Sequence, residues 1–370
     1  MDAFFTAEQE ELRSTVRRFL ADQAPLAWVR ERWSDRRGTT DAVWRGMVDL
    51  GLVGLLVPED AGGVGAGMVE AGVVLEELGR VAHPGPFLAS CVGATSALVA
   101  LEARDHLAAL ASGDSIATLA LVDAGASFGR WHAPVTDEAE GRLTGRKVNV
   151  QGGESASLFV VTAGSHVWAV RRDAPGVRVE PEVTIDGTRR FATLTLDDTP
   201  GELLGPIEAL APAVDRVAIA LAVDGLGAAQ AALTLAVDYA KTRVQFGKPI
   251  GSFQAVAHLC ATMLQTVETG RAGAYYALWA ADAAHPIERH RAAALAKSFA
   301  SEHYPQVAAE AIQILGGAGF TWEVDLHLFY KRLLTLGQDW GGSEHWLDEL
   351  AALVIDGPRD DDREGDARSA

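Results

Sequence analysis

The hydrophobic pattern changes period twice along this chain, and those two changes constrain the fold more than any single motif. From Thr6 to about Ala111 apolar residues recur at helical spacing, as in Leu12, Val16, Phe19 and Leu20. Near Ser115 the pattern gives way to short β-prone runs, Thr118–Val122, Arg142–Val150, Leu158–Ala163, Val167–Val170 and Phe191–Leu196, separated by Gly, Asp, Glu and Pro. From about Pro212 to about Leu353 the helical period returns. The expected fold is mainly α with a central β domain. An N-terminal helical domain covers 1–114, a small antiparallel β-sandwich or barrel covers 115–205, and a C-terminal helical domain covers 206–355.

Local signals refine these blocks. Thr6 is a helix N-cap with Gln9 as capping-box partner. A helix over Thr40–Leu50 stops at Gly51, a natural position for a left-handed residue. Leu55–Gly65 is a turn-rich connector, and Met68–Gly79 a helix carrying Glu76 and Glu77. His83-Pro84-Gly85-Pro86 breaks that helix, and Leu88–Ala111 is expected to be helical again. Pro286 marks a loop inside the C-terminal block. The charged stretch 356–370 lacks the apolar residues needed for packing and is expected to be disordered.

Charge narrows the function. A net charge of −18 argues against a nucleic-acid surface, where clustered Lys and Arg neutralise phosphates. It also provides no general field for an anionic ligand, which must be held by local cations. Cys91 and Cys260 lie in apolar helical patterns outside any CxxC pair, as expected for reduced core residues of a cytoplasmic protein. The first residues lack the layout of a secretory signal, and no uninterrupted apolar run reaches the roughly 20 residues of a membrane span. No His/Cys/Glu grouping has metal-ligand spacing, and no nucleophile-elbow or Walker motif occurs.

Two segments carry chemistry. Arg243-Val244-Gln245-Phe246-Gly247-Lys248-Pro249-Ile250-Gly251-Ser252-Phe253-Gln254 follows a long amphipathic stretch. Gln313-Ile314-Leu315-Gly316-Gly317-Ala318-Gly319-Phe320-Thr321 comes about 60 residues later. A guanidinium binds phosphate oxygens in a charge-assisted, often bidentate way, and a Gly pair lets backbone approach a phosphate that a Cβ would obstruct. Alone, the glycine run reads equally well as a tight helix–helix turn, and Arg243 as a surface cation. Together, and with the connector Val57-Pro58-Glu59-Asp60-Ala61-Gly62-Gly63, they closely resemble the acyl-CoA dehydrogenase family over about residues 4–355.

That resemblance implies a C-terminal four-helix bundle and an FAD whose pyrophosphate and adenine end is held across a subunit boundary. Arg243, Phe246, Gln254, Gln313, Gly316 and Gly317 are the cofactor-binding residues it implies. It further implies an acyl-CoA substrate, an electron-transfer flavoprotein-like acceptor and a role in lipid metabolism. Glu323, Asp325 and His327, just past the glycine run, are taken as structural.

The departures from the family pattern are selective. Where members keep a Thr-Glu-Pro-like turn and a Trp-Ile-Thr run around the flavin ring, this chain reads Val122-Asp123-Ala124-Gly125 and Asn149-Val150-Gln151. The glutamate base that abstracts the α-proton is replaced by Trp340 in Gln338-Asp339-Trp340-Gly341-Gly342-Ser343, and its alternative position by Val217. Asp215, Asp224 and Asp339 are the carboxylates left as substitutes, a solvated or ion-paired role being the plainer reading of each. Asp215 falls where some members touch substrate, and Asp339 is expected to face away from the lost base. Asp224 is read as a paired core acid and His345 as an exposed helix residue.

Motifs that act on FAD in trans survive while the chain's own flavin cradle and base do not. The resemblance therefore points to the base-less subunit of an α2β2 heterotetramer that desaturates a bulky, for example steroid-side-chain, acyl-CoA. Its partner would be a paralogous subunit carrying the catalytic Glu. A self-sufficient homotetramer using an Asp base, and a non-redox scaffold without flavin, are the rival readings.

Overall fold

The structure is a computed structural model and describes residues 5–356. The expected disorder of the acidic tail falls almost wholly outside that range. The N-terminal block begins with the capping box: the Gln9 N–H donates to Thr6 Oγ1 at 3.2 Å and the Thr6 N–H to Gln9 Oε1 at 3.0 Å. Helix α1 (Ala7–Gln23) buries Val16 and Leu20, and α2 (Leu26–Glu31) follows. Thr40 caps α3 (Asp41–Asp49), and Gly51 beyond it adopts φ +72°. Helix α4 (Met68–Arg80) buries Glu76 and Glu77; Glu76 takes Arg271 and the Tyr275 hydroxyl, and Glu77 takes Arg17.

Leu88–Ala111 is not one helix. A π-turn over Leu88–Ala94 runs into α5 (Thr95–Ala100), and α6 (Arg104–Ala111) starts afresh. Glu102 stands at φ +55° between them, and the Ala103 N–H returns to Leu98 O at 2.9 Å. This closure of Schellman type uses no glycine, so the sequence carries no stop signal.

The β region forms two four-stranded sheets. One has the order β1 (Ala117–Ala120), β4 (Leu158–Ala163), β5 (His166–Arg171), β8 (Glu202–Pro206); the other β2 (Asp137–Ala139), β3 (Arg142–Gln151), β7 (Phe191–Pro200), β6 (Val177–Pro181). The sandwich is not wholly antiparallel, because β1 pairs with β4 in parallel. The strands absent from the sequence reading are β2, β6 and β8, each at a sheet edge with mostly exposed or half-buried residues. These strands are short, three to five residues, and only β6 shows a brief alternation, Val177 and Val179 packing on the core, so the period-2 signal is weak or missing. Leu143, Phe159, Val161, Val170 and Leu194 fill a core between the sheets, separate from the helical one.

Five helices follow. Helix α7 (Ala211–Thr242) runs through the centre and is joined by a two-stranded hairpin, β9 (Val244–Gln245) and β10 (Lys248–Pro249), to α8 (Gln254–Ala283). Then come α9 (Pro286–Leu315), α10 (Leu326–Leu336) and α11 (Ser343–Ala351). Helix α7 is apolar and long enough to cross a membrane, but 83% of its most apolar window is buried inside the protein, as in a core helix. It meets α4 at backbone distance: a Cβ on Gly227 would lie 2.1 Å from Glu76 O, and one on Gly79 2.0 Å from Asp224 O. Neither glycine tolerates a side chain without separating the two helices.

Asp224 is the paired core acid anticipated. Its carboxylate accepts from Arg332 Nη2 at 2.7 Å and Arg189 Nη2 at 2.5 Å, all three residues being buried. Burial alone would raise its pKa, but the two guanidinium groups outweigh it and hold the carboxyl below its ordinary range. Since Arg332 sits on α10 and Arg189 just before β7, this network ties the helical bundle to the β sandwich.

Candidate functional site

A cavity of about 420 Å³ opens between the β sandwich and the turn that links α10 to α11. Val122, Phe128 and Asn149 line it from the β side, and Leu334, Asp339 and Trp340 from the helical side. It thus brings together Val122 and Asn149, from the two runs where the resemblance implies the flavin cradle, and Trp340, where it implies the base. Gln151 lies instead beside Pro84–Pro86 and Arg189, and its carbonyl accepts from Thr118 Oγ1 at 2.6 Å. Asp123 is committed to the fold: it accepts from the Val135 N–H at 2.9 Å and pairs at 3.0 Å with Lys147, whose side chain is fully buried.

Trp340 is fixed from several sides. Its Nε1–H donates to Val214 O in the first turn of α7 at 3.2 Å, while its own carbonyl accepts from Trp346 Nε1 at 2.9 Å. Phe128 lies against the indole at 4.8 Å between ring centroids. The buried Lys297 ammonium donates to Leu336 O at 3.0 Å and Gly341 O at 2.9 Å, pinning both ends of the turn. Burial pushes the Lys297 pKa down to about 7.

Asp339 does not face away from Trp340; both line the cavity. The helix has ended before them, and Trp340 at φ +59° with Gly341 at φ +85° reverses the chain, so helical side-chain rotation does not apply. Burial raises the Asp339 pKa to about 6, against the opposing pull of Lys297 and Arg189. Asp215 lies outside the cavity lining. Both its oxygens are engaged, by Arg289 Nε at 2.8 Å and His290 Nδ1 at 2.7 Å, which leaves no lone carboxylate oxygen for proton abstraction. Val217 is buried in α7 one turn past Val214. His345 is half-buried, not exposed, because its ring packs on Phe128 at 5.6 Å and Trp346 at 5.2 Å.

The surviving motifs lie elsewhere. Arg243 ends α7, its N–H donating to Tyr239 O at 2.8 Å, and its carbonyl accepts from Ile250 N–H at 2.8 Å across the hairpin. Phe246 at φ +52° and Gly247 at φ +78° make the two-residue turn, which holds the Phe246 ring 92% exposed. Gln254 opens α8 and Gln313 lies in the last turn of α9, both exposed. Helices α8 and α9 are separated by two residues, Ala284 and His285, and run antiparallel, so the start of α8 and the end of α9 share one end of the bundle. The hairpin and the glycine turn therefore lie at the same end of the bundle.

Gly316 (φ +60°, ψ −135°) needs glycine for backbone reasons. Gly317 does not have a positive φ, and a Cβ there would meet no atom within 4 Å. Among the described residues, nothing in the chain's own packing requires glycine at 317. Charge completes the picture: from Tyr239 to Val267 there is no Asp or Glu, while Lys241, Arg243 and Lys248 fall in that stretch of a strongly acidic chain. Exposed cations on and beside the hairpin, and a glycine turn with open backbone at the same end of the bundle, fit a dinucleotide diphosphate. The cavity around Trp340 presents Val122 and Asn149 where the resemblance expects a hydroxyl and a stacking ring, and its hydroxyls come instead from Ser127, Thr184 and Thr335.

Sequence reasoning missed Lys297, Phe128 and Trp346. Lys297 sits in an Ala-rich helix and Phe128 in a short 3₁₀ turn, and neither location carries a pattern that marks it.

The N-terminal domain of acyl-CoA dehydrogenase matches residues 6–106, and its C-terminal domain matches residues 210–352. Acyl-CoA dehydrogenase IpdE2 of Mycobacterium tuberculosis is 35% identical over 328 residues, covering 88% of this chain and 90% of that protein. The Tcur3481–Tcur3483 steroid ACAD, solved as a variant, superposes with a TM-score of 0.86 at 30% identity, over 95% of this chain and 98% of that one. The ChsE4–ChsE5 complex from Mycobacterium tuberculosis gives 0.89 at 26% identity, over 97% and 100%. Members of this family are typically FAD-dependent oxidoreductases of lipid metabolism. The chain belongs to the acyl-CoA dehydrogenase family.

Proposed function

We propose that this chain is the base-less subunit of a heteromeric, FAD-dependent acyl-CoA dehydrogenase of the cytoplasm, completing a flavin site whose glutamate stands on a paralogous partner. The observation that carries the reading is the separation of the two regions. Arg243, Phe246, Gln254, Gln313, Gly316 and Gly317 face outward at one end of the bundle, away from the chain's own cavity. Similarity to a steroid ACAD and to a two-component ChsE4–ChsE5 complex supports both the heteromeric assembly and a bulky acyl group.

In this reading the Arg243 guanidinium binds the diphosphate, the Gly316–Gly317 backbone admits it closely, and Phe246 packs against the adenine side. Gln254 and Gln313 supply neutral hydrogen bonds. FAD, when bound, accepts hydride from the acyl β-carbon and passes electrons to an electron-transfer flavoprotein-like acceptor. The exposed faces of α8 and α9, which include Leu264 and Leu295, offer apolar surface for close subunit packing. Domain limits near 114/115 and 205/206 belong to the same proposal.

Co-expression with the paralogue, followed by mass and flavin absorbance, tests it. Yellow complex of α2β2 mass with one FAD per pair, and colourless protein from this chain alone, are expected. A yellow chain with one FAD per protomer on its own contradicts the proposal and returns attention to Asp339, the carboxylate that lines the cavity.

A further inference from the structure

The completing role says what this chain lends to its partner; it does not say what has become of its own cavity. Three observations meet at Trp340. The indole is anchored to the first turn of α7 through Nε1–H to Val214 O at 3.2 Å. On that helix Val214 and Val217 are buried, and a Cβ on Gly93 of the facing π-turn would already lie 3.2 Å from the Val217 side chain. Lastly, Trp340 holds φ +59°, a conformation unfavourable for a bulky residue, and is kept there by Lys297, Phe128 and Trp346 together. A strained backbone kept by so many contacts indicates that the indole's position matters more than the comfort of the turn.

The geometry points to Trp340 as a specificity-determining plug: its indole fills the space between the cavity and α7 that an acyl chain would need, so an acyl-CoA cannot enter this subunit. No residue of α7 lines the remaining cavity, whereas Trp340 both lines it and bonds to the backbone of α7. A reacting acyl group must lie within reach of a base, and at this position the base slot is occupied by an indole bonded to helix backbone. In the heteromer, each pair of subunits then has a single mouth for the CoA ester, on the partner. This inference extends the completing-subunit reading but stands on separate geometry.

The test uses Trp340→Gly, which accepts the left-handed backbone, and Trp340→Phe, which keeps most of the volume but loses the N–H. Indole serves as probe for the vacated ring space and 1-octanol as surrogate for an acyl chain. Each is titrated calorimetrically into the full-length chain and into its complex with the paralogue. Trp340→Gly is expected to gain one site per chain for each probe and to recover thermal stability when indole is added. Wild type and Trp340→Phe are expected to lack that site. An equal number of sites in wild type and Trp340→Gly overturns the proposal, whether that number is zero or one, and so does a Phe variant that opens like the Gly variant. Because the site count on the chain alone needs no flavin, a failure here is distinguishable from a failure of the completing role, which flavin stoichiometry reports.

Discussion

The two ends of the C-terminal bundle treat their polar groups in opposite ways. Around Trp340, the Asp339 carboxylate apart, the polar groups find hydrogen-bond partners inside the chain: Nε1 of Trp340 and of Trp346, the Lys297 ammonium, and both oxygens of Asp215. At the hairpin and glycine turn, Phe246 stands 92% exposed and Gly317 guards an empty space. The first region is largely satisfied within the fold, and the second leaves side chains and backbone open to solvent. A polar group satisfied internally has little left to offer a ligand, whereas an exposed cation beside open backbone has much.

If this contrast holds, substitutions on the internal side should cost stability and those on the outer side should cost only binding. The largest effect is expected at Asp224. Asp224→Ala leaves Arg189 and Arg332 buried without their shared carboxylate, and denaturant unfolding should show a loss of about 3–5 kcal/mol. A loss under about 1 kcal/mol would show that water or rearrangement satisfies both guanidinium groups, and the contrast would weaken.

Gly317→Val sharpens the other half. With no atom within 4 Å of its Cβ, the variant should change the stability of the isolated chain by no more than about 0.5 kcal/mol, while the heteromer loses FAD on gel filtration. A destabilised chain would mean that the glycine serves its own fold after all.

The smallest effect is pH-dependent. His290, held mainly by its hydrogen bond to Asp215 and further by Glu349, has a pKa raised above its ordinary value. A histidine raised on folding stabilises the native state fully below the unfolded pKa of about 6.5, and that contribution disappears as pH rises through the folded value. The difference in melting temperature between wild type and His290→Gln should therefore be larger at acid than at alkaline pH. An equal difference at both ends would remove the ion pair from the account of how Asp215 is kept occupied.

Much of this was legible in the chain itself. The changes of period set out the helical, β and helical blocks, and Thr6, Gly51 and the His83–Pro86 break appear where local chemistry places them. Edge strands β2, β6 and β8 escaped because three to five residues give too few alternations to register, even in β6, where Val177 and Val179 face the core. The split of Leu88–Ala111 escaped because Glu102 takes a glycine-like conformation without being glycine. At the site, the two motifs stood out in the sequence because the Arg243–Gln254 run and the glycine run at 316–319 fit no helical or strand period. Asp339 and Trp340 sharing one cavity was not legible, since it depends on two consecutive left-handed residues and on a bond between positions 126 residues apart.

The central claim is that this chain's outward residues hold FAD for its partner. The most direct measurement is FAD affinity of the purified heteromer with Arg243→Ala in this chain alone, read by flavin fluorescence during dialysis. Loss of a charge-assisted phosphate contact is expected to weaken retention about tenfold or more while the subunits stay assembled. Unchanged affinity in an intact heteromer would place the FAD diphosphate elsewhere and contradict the account.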